Sequence, residues 1–310
     1  MRFLYVAPRY HTNQVPIIRG LKRKGHEVCF LSQYAGKVED YSDLTPTVIG
    51  YSGFFLFFDR IYMALMKNRD AYAGDRKMKC GFPPIGKLKR AIRDSHGDVA
   101  VLRERSVYSI CAYLLCKKYK IPAILYNQSP LWEDCIKNDP AHRLMRLLTP
   151  TVRMTPVMGV QDDRKVKEPG AAFVPFVMEP EQKAEEKRWI KNGITHIFSI
   201  GKYEERKNHR MLVEIVEELS AVYNIHLTIA GERTTSAHQA YYDRLAAYIA
   251  DHGLQDKVTL LANLNRQQVA EQYRKADLFV IPSTREPASI SQLEAMAFSL
   301  PVVCGDKNGT

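Results

Sequence analysis

The sequence predicts an α/β protein built from two doubly wound, Rossmann-like domains in tandem. Short apolar runs alternate with amphipathic helical stretches along the chain, as in parallel strands joined by crossover helices. A length of 310 residues is enough for two such domains. Five prolines lie among mixed charges between residues 150 and 180, and we place the interdomain linker near Pro175 to Pro180. We therefore expect an N-terminal domain at residues 1–178 and a C-terminal domain at residues 179–310.

Alternating strands and helices are predicted in each domain. In the N-terminal domain the expected strands are 2–7, 28–32, 99–102 and 123–126, with helices at 16–24 and 108–119. In the C-terminal domain the expected strands are 195–201, 226–231, 257–261 and 278–281, with helices at 210–222, 237–252, 266–274 and from 289 onward. Open parallel sheets bind ligands at the carboxyl ends of their strands, so the loops that follow these strands are the candidate sites.

The net charge of +11 belongs to the N-terminal half of the chain. Residues 1–180 contain 29 Lys and Arg against 17 Asp and Glu, whereas residues 181–310 contain 16 against 17. Such an asymmetry indicates an anionic partner for the N-terminal domain.

An aromatic stretch, residues 51–58, directly precedes the most basic part of the chain. Residues 60–93 contain ten Lys and Arg against two Asp. A cationic surface that carries aromatic side chains suits peripheral docking on an anionic bilayer. In the alternative interpretation the aromatic residues belong to the core and the charges form a solvated face. Nucleic acid is the less favoured partner because no recognition motif accompanies the charge.

Cysteine usage indicates a reduced, cytoplasmic protein. The six cysteines form no C-x-x-C pair, and their spacing matches no zinc site. No signal peptide precedes the first strand, and no apolar run is long enough to span a membrane. We expect at most peripheral contact with the inner face of the cell membrane.

The stretch from residue 276 to residue 303 carries the clearest functional pattern. An apolar run, residues 278–281, ends at a Pro-Ser turn, and a helix is expected from Ser289. Ser289 and Gln292 have the spacing of a capping box. The free N–H groups and the dipole at the start of such a helix attract phosphate.

Two carboxylates flank this helix start. Glu286 lies on the loop before the helix, Glu294 lies in its second turn, and Ile290 and Ser291 supply the first backbone N–H groups. A phosphate-binding helix end between two carboxylates can hold a diphosphate and two sets of hydroxyls, so the pattern suits a nucleotide sugar. Taken singly, each Glu is better explained by a surface loop or by stabilisation of a helix dipole, and only the whole constellation favours a ligand site.

This constellation resembles the donor-binding signature of family-4 retaining glycosyltransferases of the GT-B fold. The resemblance implies that Glu286 contacts the hydroxyls of the donor sugar and that Glu294 holds the ribose diol. Residues that match the family occur throughout the stretch from about residue 195 to the end of the chain. Because GT-B proteins normally continue into a final helix that returns to the first domain, we expect the C-terminal end at Thr310 to be incomplete.

Other segments of the C-terminal domain match the same family. Residues 198–208 resemble its diphosphate-gripping loop, which implies that Lys202, Arg206 and Lys207 contact the donor diphosphate. Cations on a loop that follows a strand suit a diphosphate on chemical grounds, although a solvated charged loop is equally consistent with this segment alone. By the same resemblance, further donor-binding positions are Gly231 at the end of a strand and the backbone of Asn263 and Leu264 beside the nucleobase.

The N-terminal domain matches the family less closely. It has Arg9 to Asn13 where the family often carries Gly-Gly, and Asn127 where the family often carries His. An amide can hydrogen-bond a sugar hydroxyl but does not titrate near neutrality. We assign Asn13, Arg105, Asn127 and Gln128 to the acceptor side. For Asn127 and Gln128 an amide that caps a loop remains an open alternative.

The resemblance implies retaining transfer of a sugar from a nucleoside diphosphate sugar, by family habit UDP-linked, to a hydroxyl. The cations and the helix start would stabilise the leaving diphosphate, and Glu286 would position the sugar rather than attack it. The chain contains no D-x-D motif, so we predict no metal and no cofactor besides the donor. A lipid-linked saccharide acceptor in bacterial O-antigen, capsule or lipopolysaccharide assembly would suit the basic N-terminal domain.

Three other classes of protein would each explain part of the sequence. An epimerase-like GT-B enzyme would share the donor site but would need no basic acceptor surface. A non-catalytic module that binds anionic membranes would leave the donor motif unexplained. A nicotinamide-dependent oxidoreductase would need a G-x-G-x-x-G after the first strand, and residues 7–10 read Ala-Pro-Arg-Tyr.

Overall fold

The computed structural model divides the chain into two compact units, Met1–Phe176 and Val177–Thr310. Each unit contains one sheet, and every described strand pairing is parallel. The structure describes residues 1–36, 41–65, 73–104, 106–128, 138–157, 170–284, 286, 288–306 and 308. None of the helices in these ranges combines the length and the hydrophobicity that a membrane crossing requires.

The N-terminal unit contains a seven-stranded sheet in the order β3-β2-β1-β4-β5-β6-β7. Its strands are β1 Arg2–Ala7, β2 Glu27–Ser32, β3 Thr47–Val48, β4 Val99–Arg103, β5 Ala123–Tyr126, β6 Arg153–Thr155 and β7 Ala171–Phe173. Its described helices are α1 Val15–Arg23, α2 Gly53–Leu65, α3 Ala73–Cys80, α4 Ile85–Asp94, α5 Val107–Lys118 and α6 Pro140–Leu148. The chain reverses its direction across the sheet between β1 and β4, so their carboxyl ends mark the topological switch point.

Both faces of this sheet are covered, as the predicted doubly wound fold requires. In β1, Leu4 and Val6 pack into the cluster that includes α4 and α5, whereas Tyr5 and Ala7 pack with α1. Successive side chains of a strand point to opposite faces, so a strand buried on both sides appears in the sequence as a continuous apolar run.

The C-terminal unit contains a five-stranded sheet in the order β10-β9-β8-β11-β12. Its strands are β8 Thr195–Ile200, β9 Ile225–Gly231, β10 Val258–Ala262, β11 Leu278–Ile281 and β12 Val302–Cys304. Its α-helices are α7 His209–Leu219, α8 Ser236–Asp251, α9 Arg266–Lys275 and α10 Ile290–Ala297. Helices α7 and α8 pack on one face of the sheet, and α9 and α10 pack on the other. The switch point lies between β8 and β11, and the predicted donor motifs follow these two strands.

Several short elements were absent from the sequence prediction. Strands β3, β6 and β7 have only two or three residues each, too few for a periodic pattern to be recognised. Helices α3, α4 and α6 are rich in Lys and Arg and follow no predicted strand directly. The alternating architecture was predicted correctly, but the N-terminal unit contains more elements than the sequence indicated.

Candidate active site

The candidate site of the C-terminal unit is built from the two loops that follow β8 and β11. These strands are neighbours in the sheet, with Phe198 opposite Phe279. Beyond the strands, the backbone N–H of Thr284 donates to the carbonyl oxygen of Arg206 at 3.1 Å. This hydrogen bond brings Glu286 to the loop that carries Arg206 and Lys207, about 80 residues earlier in the chain.

Glu286 forms ion pairs with both cations of this loop. Its Oε2 atom lies 2.5 Å from Lys207 Nζ and 3.2 Å from Arg206 Nη1. The side chains of Lys207 and Glu286 are only 14% and 12% exposed, so this pair is shielded from water. Arg206 also contacts Glu204 at 2.8 Å and is more exposed. Glu286 is therefore held where two positive charges converge.

Glycine at two positions allows this arrangement. A Cβ atom on Gly201 would lie 2.9 Å from Cδ of Lys207, because the aliphatic part of that lysine crosses directly over the glycine. A Cβ atom on Gly231 would lie 2.4 Å from the carbonyl oxygen of Gly201 and 2.7 Å from the ring of Tyr203. At Gly231 only a residue without a side chain permits this close approach of the ends of β8 and β9, whereas a Cβ atom at Gly201 would displace the side chain of Lys207.

Lys202 lies apart from this cluster of charges. Its Nζ is 3.6 Å from Glu232 Oε2, and both side chains are about half exposed. The structure therefore brings together Arg206, Lys207 and Glu286 from the predicted donor set, and directs Lys202 toward the loop after β9.

The capping box predicted at the start of α10 forms only in part. Ser289 caps the helix, because its Oγ accepts from the N–H of Gln292 at 3.4 Å. The Gln292 side chain does not return to the Ser289 backbone; its Oε1 accepts from Nδ2 of Asn308. Glu286 and Asn308 form a parallel β-bridge, so the loop before α10 pairs with the described end of the chain, and this pairing takes Gln292 away from the box.

Glu294 lies in α10 beside a buried tyrosine. The Tyr273 hydroxyl is 3.1 Å from Glu294 Oε2 and 3.2 Å from the carbonyl oxygen of Ser291. Burial raises the pKa of the Glu294 carboxyl, and the hydrogen bond from Tyr273 opposes this shift. Burial also raises the pKa of Tyr273 well above its ordinary value, so the phenol stays protonated as a donor. The sequence pattern pointed to Glu294 but gave no sign of Tyr273, which lies in the preceding helix.

Asn263 adopts the left-handed conformation, with φ of 56°. Its Oδ1 accepts from the N–H of Arg233 at 2.8 Å, and its Nδ2 donates to the carbonyl oxygen of Arg233 at 3.2 Å. The N–H of Asn263 donates to Gly231 at 2.9 Å, and Leu264 packs against the core beneath. These hydrogen bonds join the loops after β9 and β10. Asparagine suits the position because it tolerates the left-handed conformation better than most residues.

His209, the first residue of α7, is buried beneath the cationic loop and was not anticipated. Its ring lies 5.6 Å from the ring of Tyr203 and 6.2 Å from that of Tyr241. Burial and, to a smaller extent, the charge of Lys207 lower the pKa of His209 to about 3. The imidazole is therefore neutral at physiological pH and supports the loop by packing.

The acceptor-side residues of the N-terminal unit are mostly buried. Asn127 is 4% exposed, and its Nδ2 donates to Oε2 of Glu104 at 2.9 Å. Arg153 Nε donates to the other carboxylate oxygen of Glu104 at 2.8 Å. This network joins the carboxyl ends of β4 and β5 to the first residue of β6. Neither Glu104 nor Arg153 carries a sequence signal that distinguishes it from the many other charged residues.

The other acceptor-side residues have separate surroundings. Gln128 accepts from Arg103 at 2.9 Å and donates to the Tyr126 hydroxyl at 2.9 Å. Asn13 is 2% exposed, and its Oδ1 has no hydrogen-bond partner among the residues that the structure describes. Arg105 lies outside the described residues.

No metal centre is visible in the described ranges. Among those residues, no three His, Cys, Asp or Glu side chains are grouped closely enough to hold a metal ion. The positive charge at the candidate site comes from Arg206 and Lys207.

The sequence of the C-terminal unit resembles a known family. Residues 181–310 match the family model described as Glycosyl transferases group 1. This match covers less than half of the chain, and it agrees with the coarser part of the predicted resemblance.

Curated relatives resemble this chain over stretches of 106 to 149 residues. Mannosylfructose-phosphate synthase of Agrobacterium fabrum is 27% identical over 110 residues, which are 34% of this chain and 24% of that protein. D-inositol 3-phosphate glycosyltransferase of Pseudarthrobacter chlorophenolicus is 28% identical over 149 residues, 47% of this chain and 34% of that protein. The lipopolysaccharide core biosynthesis mannosyltransferase LpcC of Rhizobium leguminosarum bv. viciae is 29% identical over 106 residues, 34% of this chain and 30% of that protein. The chain thus spans between about a quarter and a third of the length of these relatives.

Solved structures extend the likeness to both units. A glycosyltransferase from Rickettsia africae has a TM-score of 0.70 at 14% identity, covering 100% of this chain and 80% of that one. Anabaena HepE in complex with UDP and glucose has a TM-score of 0.64 at 12% identity, and the match covers 100% of this chain and 82% of that one. At such low identity the likeness shows the fold alone. The two parallel-sheet domains fit the GT-B fold, as the sequence analysis predicted.

Proposed function

We propose that this protein is a retaining glycosyltransferase that moves a hexosyl or N-acetylhexosaminyl group from a UDP-sugar to a hydroxyl acceptor. The observation that carries this proposal is the convergence of Glu286, Arg206 and Lys207 at the switch point of a group 1 glycosyltransferase domain. Two cations beside one shielded carboxylate suit the junction between a diphosphate and a sugar, where negative charge and hydroxyl groups are adjacent.

In the proposed reaction the bond between the anomeric carbon and the diphosphate oxygen breaks, and a bond from that carbon to the acceptor oxygen forms. The acceptor attacks on the face that the diphosphate leaves, and its proton passes to the departing diphosphate oxygen. Arg206, Lys207 and the N–H groups of Ile290 and Ser291 stabilise the charge that develops on the leaving group. This route needs neither a covalent enzyme intermediate nor a metal, and we propose no cofactor besides the donor.

Glu286 acts in this scheme by positioning. Its carboxylate already holds Lys207 Nζ at 2.5 Å, and Lys207 has further donors for a diphosphate oxygen. A donor can therefore share the lysine with Glu286, which keeps the carboxylate beside the sugar hydroxyls. Ion pairing with two cations weakens the carboxylate as a nucleophile, while its remaining lone pairs can accept from sugar hydroxyls.

The nucleoside would lie over the loops after β9 and β10. We assign the ribose diol to the carboxylate of Glu294 and the base to the backbone of Asn263 and Leu264. Anabaena HepE, a structural neighbour, was solved in complex with UDP and glucose, and this supports uracil over guanine. The relative LpcC is named a mannosyltransferase, so GDP is the nucleotide to test against UDP.

For the acceptor we propose a lipid-linked saccharide of bacterial surface-polysaccharide assembly, such as O-antigen, capsule or lipopolysaccharide. The basic N-terminal unit supports an anionic acceptor, since a lipid-linked sugar carries a pyrophosphate. The name of the relative LpcC, a lipopolysaccharide core biosynthesis enzyme, supports the same class. The protein would act in the cytoplasm and contact the inner face of the cell membrane peripherally.

Calorimetric titration of Lys207→Met with UDP, GDP and uridine tests the donor site. We expect at least a tenfold loss of affinity for UDP, because a charge-assisted hydrogen bond contributes about 1.5–3 kcal/mol, with little change for uridine. Lys275→Met, which removes an exposed lysine at the end of α9, is the matched control and should bind UDP as the unchanged protein does.

Equal UDP affinity in both variants would contradict the assignment of Lys207. Preference for GDP over UDP would keep the transferase and change its donor. Analysis of the products by mass spectrometry and NMR separates transfer from epimerisation, because a transferase releases UDP together with a glycoside, whereas an epimerase returns a free or nucleotide-bound isomer.

A further inference from the structure

Helix α2 exposes its apolar side. The outward residues include Phe54, Phe57 and Leu65, which are 74%, 61% and 77% exposed. At 100° per residue, they lie on one side of the helix with Phe58, Ile61 and Tyr62, which are also exposed. The opposite side contains Asp59, which is 5% exposed. A helix on the surface of a soluble protein normally turns its apolar side inward, so the outward apolar side of α2 is the reverse of the usual arrangement.

The exposed side chains form one continuous patch. The rings of Phe54 and Phe58 are 4.7 Å apart, and those of Phe57 and Phe58 are 5.5 Å apart. The sequence alone is compatible with core positions for these aromatic residues, and the structure excludes such positions for Phe54, Phe57 and Phe58. Contiguous exposed apolar patches of this kind mark interaction sites.

The carboxylate within α2 is neutralised from α3. Arg76 forms an ion pair with Asp59, and Lys77 Nζ lies 3.4 Å from Asp59 Oδ2. The Arg76 guanidinium also lies over the ring of Tyr62 at 4.1 Å. The patch therefore has no exposed negative charge from α2, and the helix that adjoins it is basic.

The turn between two basic helices contacts the start of α2. Ser52, one residue before α2, donates its N–H to the carbonyl oxygen of Phe82, in the turn between α3 and α4. This contact ties the connection between the basic helices α3 and α4 to the start of α2. Their exposed cations and the one on α2 itself are Arg60, Lys79, Lys87, Lys89, Arg90 and Arg93.

We propose that α2 lies on an anionic lipid bilayer, with its apolar side at the boundary between headgroups and acyl chains. The surrounding lysines and arginines would then contact the anionic headgroups. A second copy of the chain is the less favoured occupant, because it would bring two basic surfaces together. This inference deepens the proposed function by giving the membrane contact a location, and vesicle binding itself requires neither donor nor acceptor.

Flotation of the full chain with lipid vesicles tests the proposal. We expect binding to phosphatidylglycerol-containing vesicles and at least tenfold weaker partition to pure phosphatidylcholine, with further loss at high salt. The combined variant Phe57→Ser, Ile61→Ser and Leu65→Ser should lose at least tenfold in partition. The matched control Leu144→Ser and Leu147→Ser removes exposed leucines from α6 and should bind vesicles like the unchanged protein.

Tryptophan fluorescence supplies a second measurement with a milder change. Phe57→Trp should show a blue shift with anionic vesicles, and Leu147→Trp should not. An equal loss of binding in both serine variants, or no shift at position 57, would overturn the location on α2. Light scattering that shows a dimer abolished by the α2 variant, without vesicle binding, would assign the patch to a second copy.

The outcomes for the membrane contact and for the transferase are separable. Vesicle binding that fails while UDP binding and transfer to a soluble acceptor persist would reject the docking surface and leave the function intact. Vesicle binding without nucleotide binding would support the docking surface and reject the proposed function.

Discussion

At the scale of single residues, the candidate site depends on the partners that each ionisable side chain finds. Glu286 forms ion pairs with Arg206 and Lys207, whereas Glu294 is buried and receives a hydrogen bond from Tyr273. The two glutamates, eight residues apart in the sequence, therefore have different electrostatic surroundings. Such a difference suits two separate tasks, one beside the diphosphate and one at the ribose.

The buried His209 makes the C-terminal unit sensitive to acid. Its folded-state pKa is lowered from 6.5 to about 3, so below pH 6.5 the unfolded chain binds a proton that the folded chain does not. The stabilisation is complete above pH 6.5 and is lost as pH falls, by about 1.4 kcal/mol per pH unit at most. Chemical denaturation of His209→Phe between pH 7 and 4.5 should show a shallower decline of the unfolding free energy. Identical slopes in the unchanged protein and in His209→Phe would contradict this prediction.

The raised pKa of Glu294 predicts a pH dependence of nucleotide binding. Ribose hydroxyls donate to the carboxylate, so UDP affinity should fall as the pH is lowered through this raised pKa. Glu294→Gln should bind UDP at least about tenfold more weakly at neutral pH. Its UDP affinity should also lack the pH dependence that comes from the Glu294 carboxyl, because the amide does not titrate. Titration of the phosphate affects both proteins equally and cancels in the ratio of their affinities. Tyr273→Phe removes a hydrogen bond that lowers the pKa of Glu294, so it should move the midpoint of the pH dependence of UDP affinity to higher pH. If the ratio of the UDP affinities of the unchanged protein and Glu294→Gln did not depend on pH, the ribose assignment would be refuted.

At the scale of elements, the donor site depends on the close approach of three strand ends. The carboxyl ends of β8, β9 and β10 are tied by the hydrogen bonds from Gly201 to Ala230 and from Asn263 to Gly231. Short loops held in this way carry the functional side chains, while the strands bury the apolar residues beneath them. Substitutions at the strand ends should therefore change both stability and nucleotide binding.

Gly231→Ala tests this dependence. The added Cβ would lie 2.4 Å from the carbonyl oxygen of Gly201, a backbone atom that moves only if the strand ends separate. We expect a loss of about 1–3 kcal/mol in the free energy of unfolding, together with weaker UDP binding. Gly20→Ala is the control, because its Cβ would meet no atom within 4 Å and the position lies inside α1. Alanine there should be neutral or stabilise by up to about 1 kcal/mol, and similar effects of the two substitutions would rule out the packing argument.

At the scale of the whole molecule, the two compact units differ in charge and in the task proposed for each. The basic surplus lies in the N-terminal half, whereas the matched glycosyltransferase domain starts at residue 181. Such a division suits an arrangement in which one unit binds the donor and the other faces an anionic acceptor. Each unit has its own buried clusters, so each has the means to unfold as a separate cooperative body.

Calorimetric unfolding with UDP should distinguish the units. In the proposed function UDP binds the C-terminal unit, so it should raise the melting temperature of that unit alone. At a hundredfold excess of UDP over Kd, the free energy of unfolding of that unit should increase by about 2.7 kcal/mol. Hydrogen exchange measured by mass spectrometry should assign the protected peptides to residues 177–310. Protection confined to the N-terminal unit would contradict the placement of the donor site.

Much of the candidate site could be predicted from the sequence, and the residues that could not be predicted share a reliance on long-range contacts. Glu286, Arg206 and Lys207 were selected from separate motifs, and the structure places them in contact. Lys202 was selected on the same grounds but pairs with Glu232. Tyr273 and His209 were missed because a buried aromatic residue or a single histidine resembles ordinary core packing in a sequence. The Gln292 half of the capping box failed because a long-range contact with Asn308 competes with a local one.

The sequence by itself determined the class of fold and the positions of the loops that carry the donor motifs. Hydrophobic runs and helical periodicity are local, and parallel strands bring their carboxyl ends to a common edge wherever they pair. Only the tertiary structure decided which charges meet, that Asn127 is buried against Glu104, and that α2 exposes Phe54, Phe57 and Phe58. These outcomes depend on contacts between residues far apart in the chain, and on whether another element covers an apolar helix, which no local pattern records.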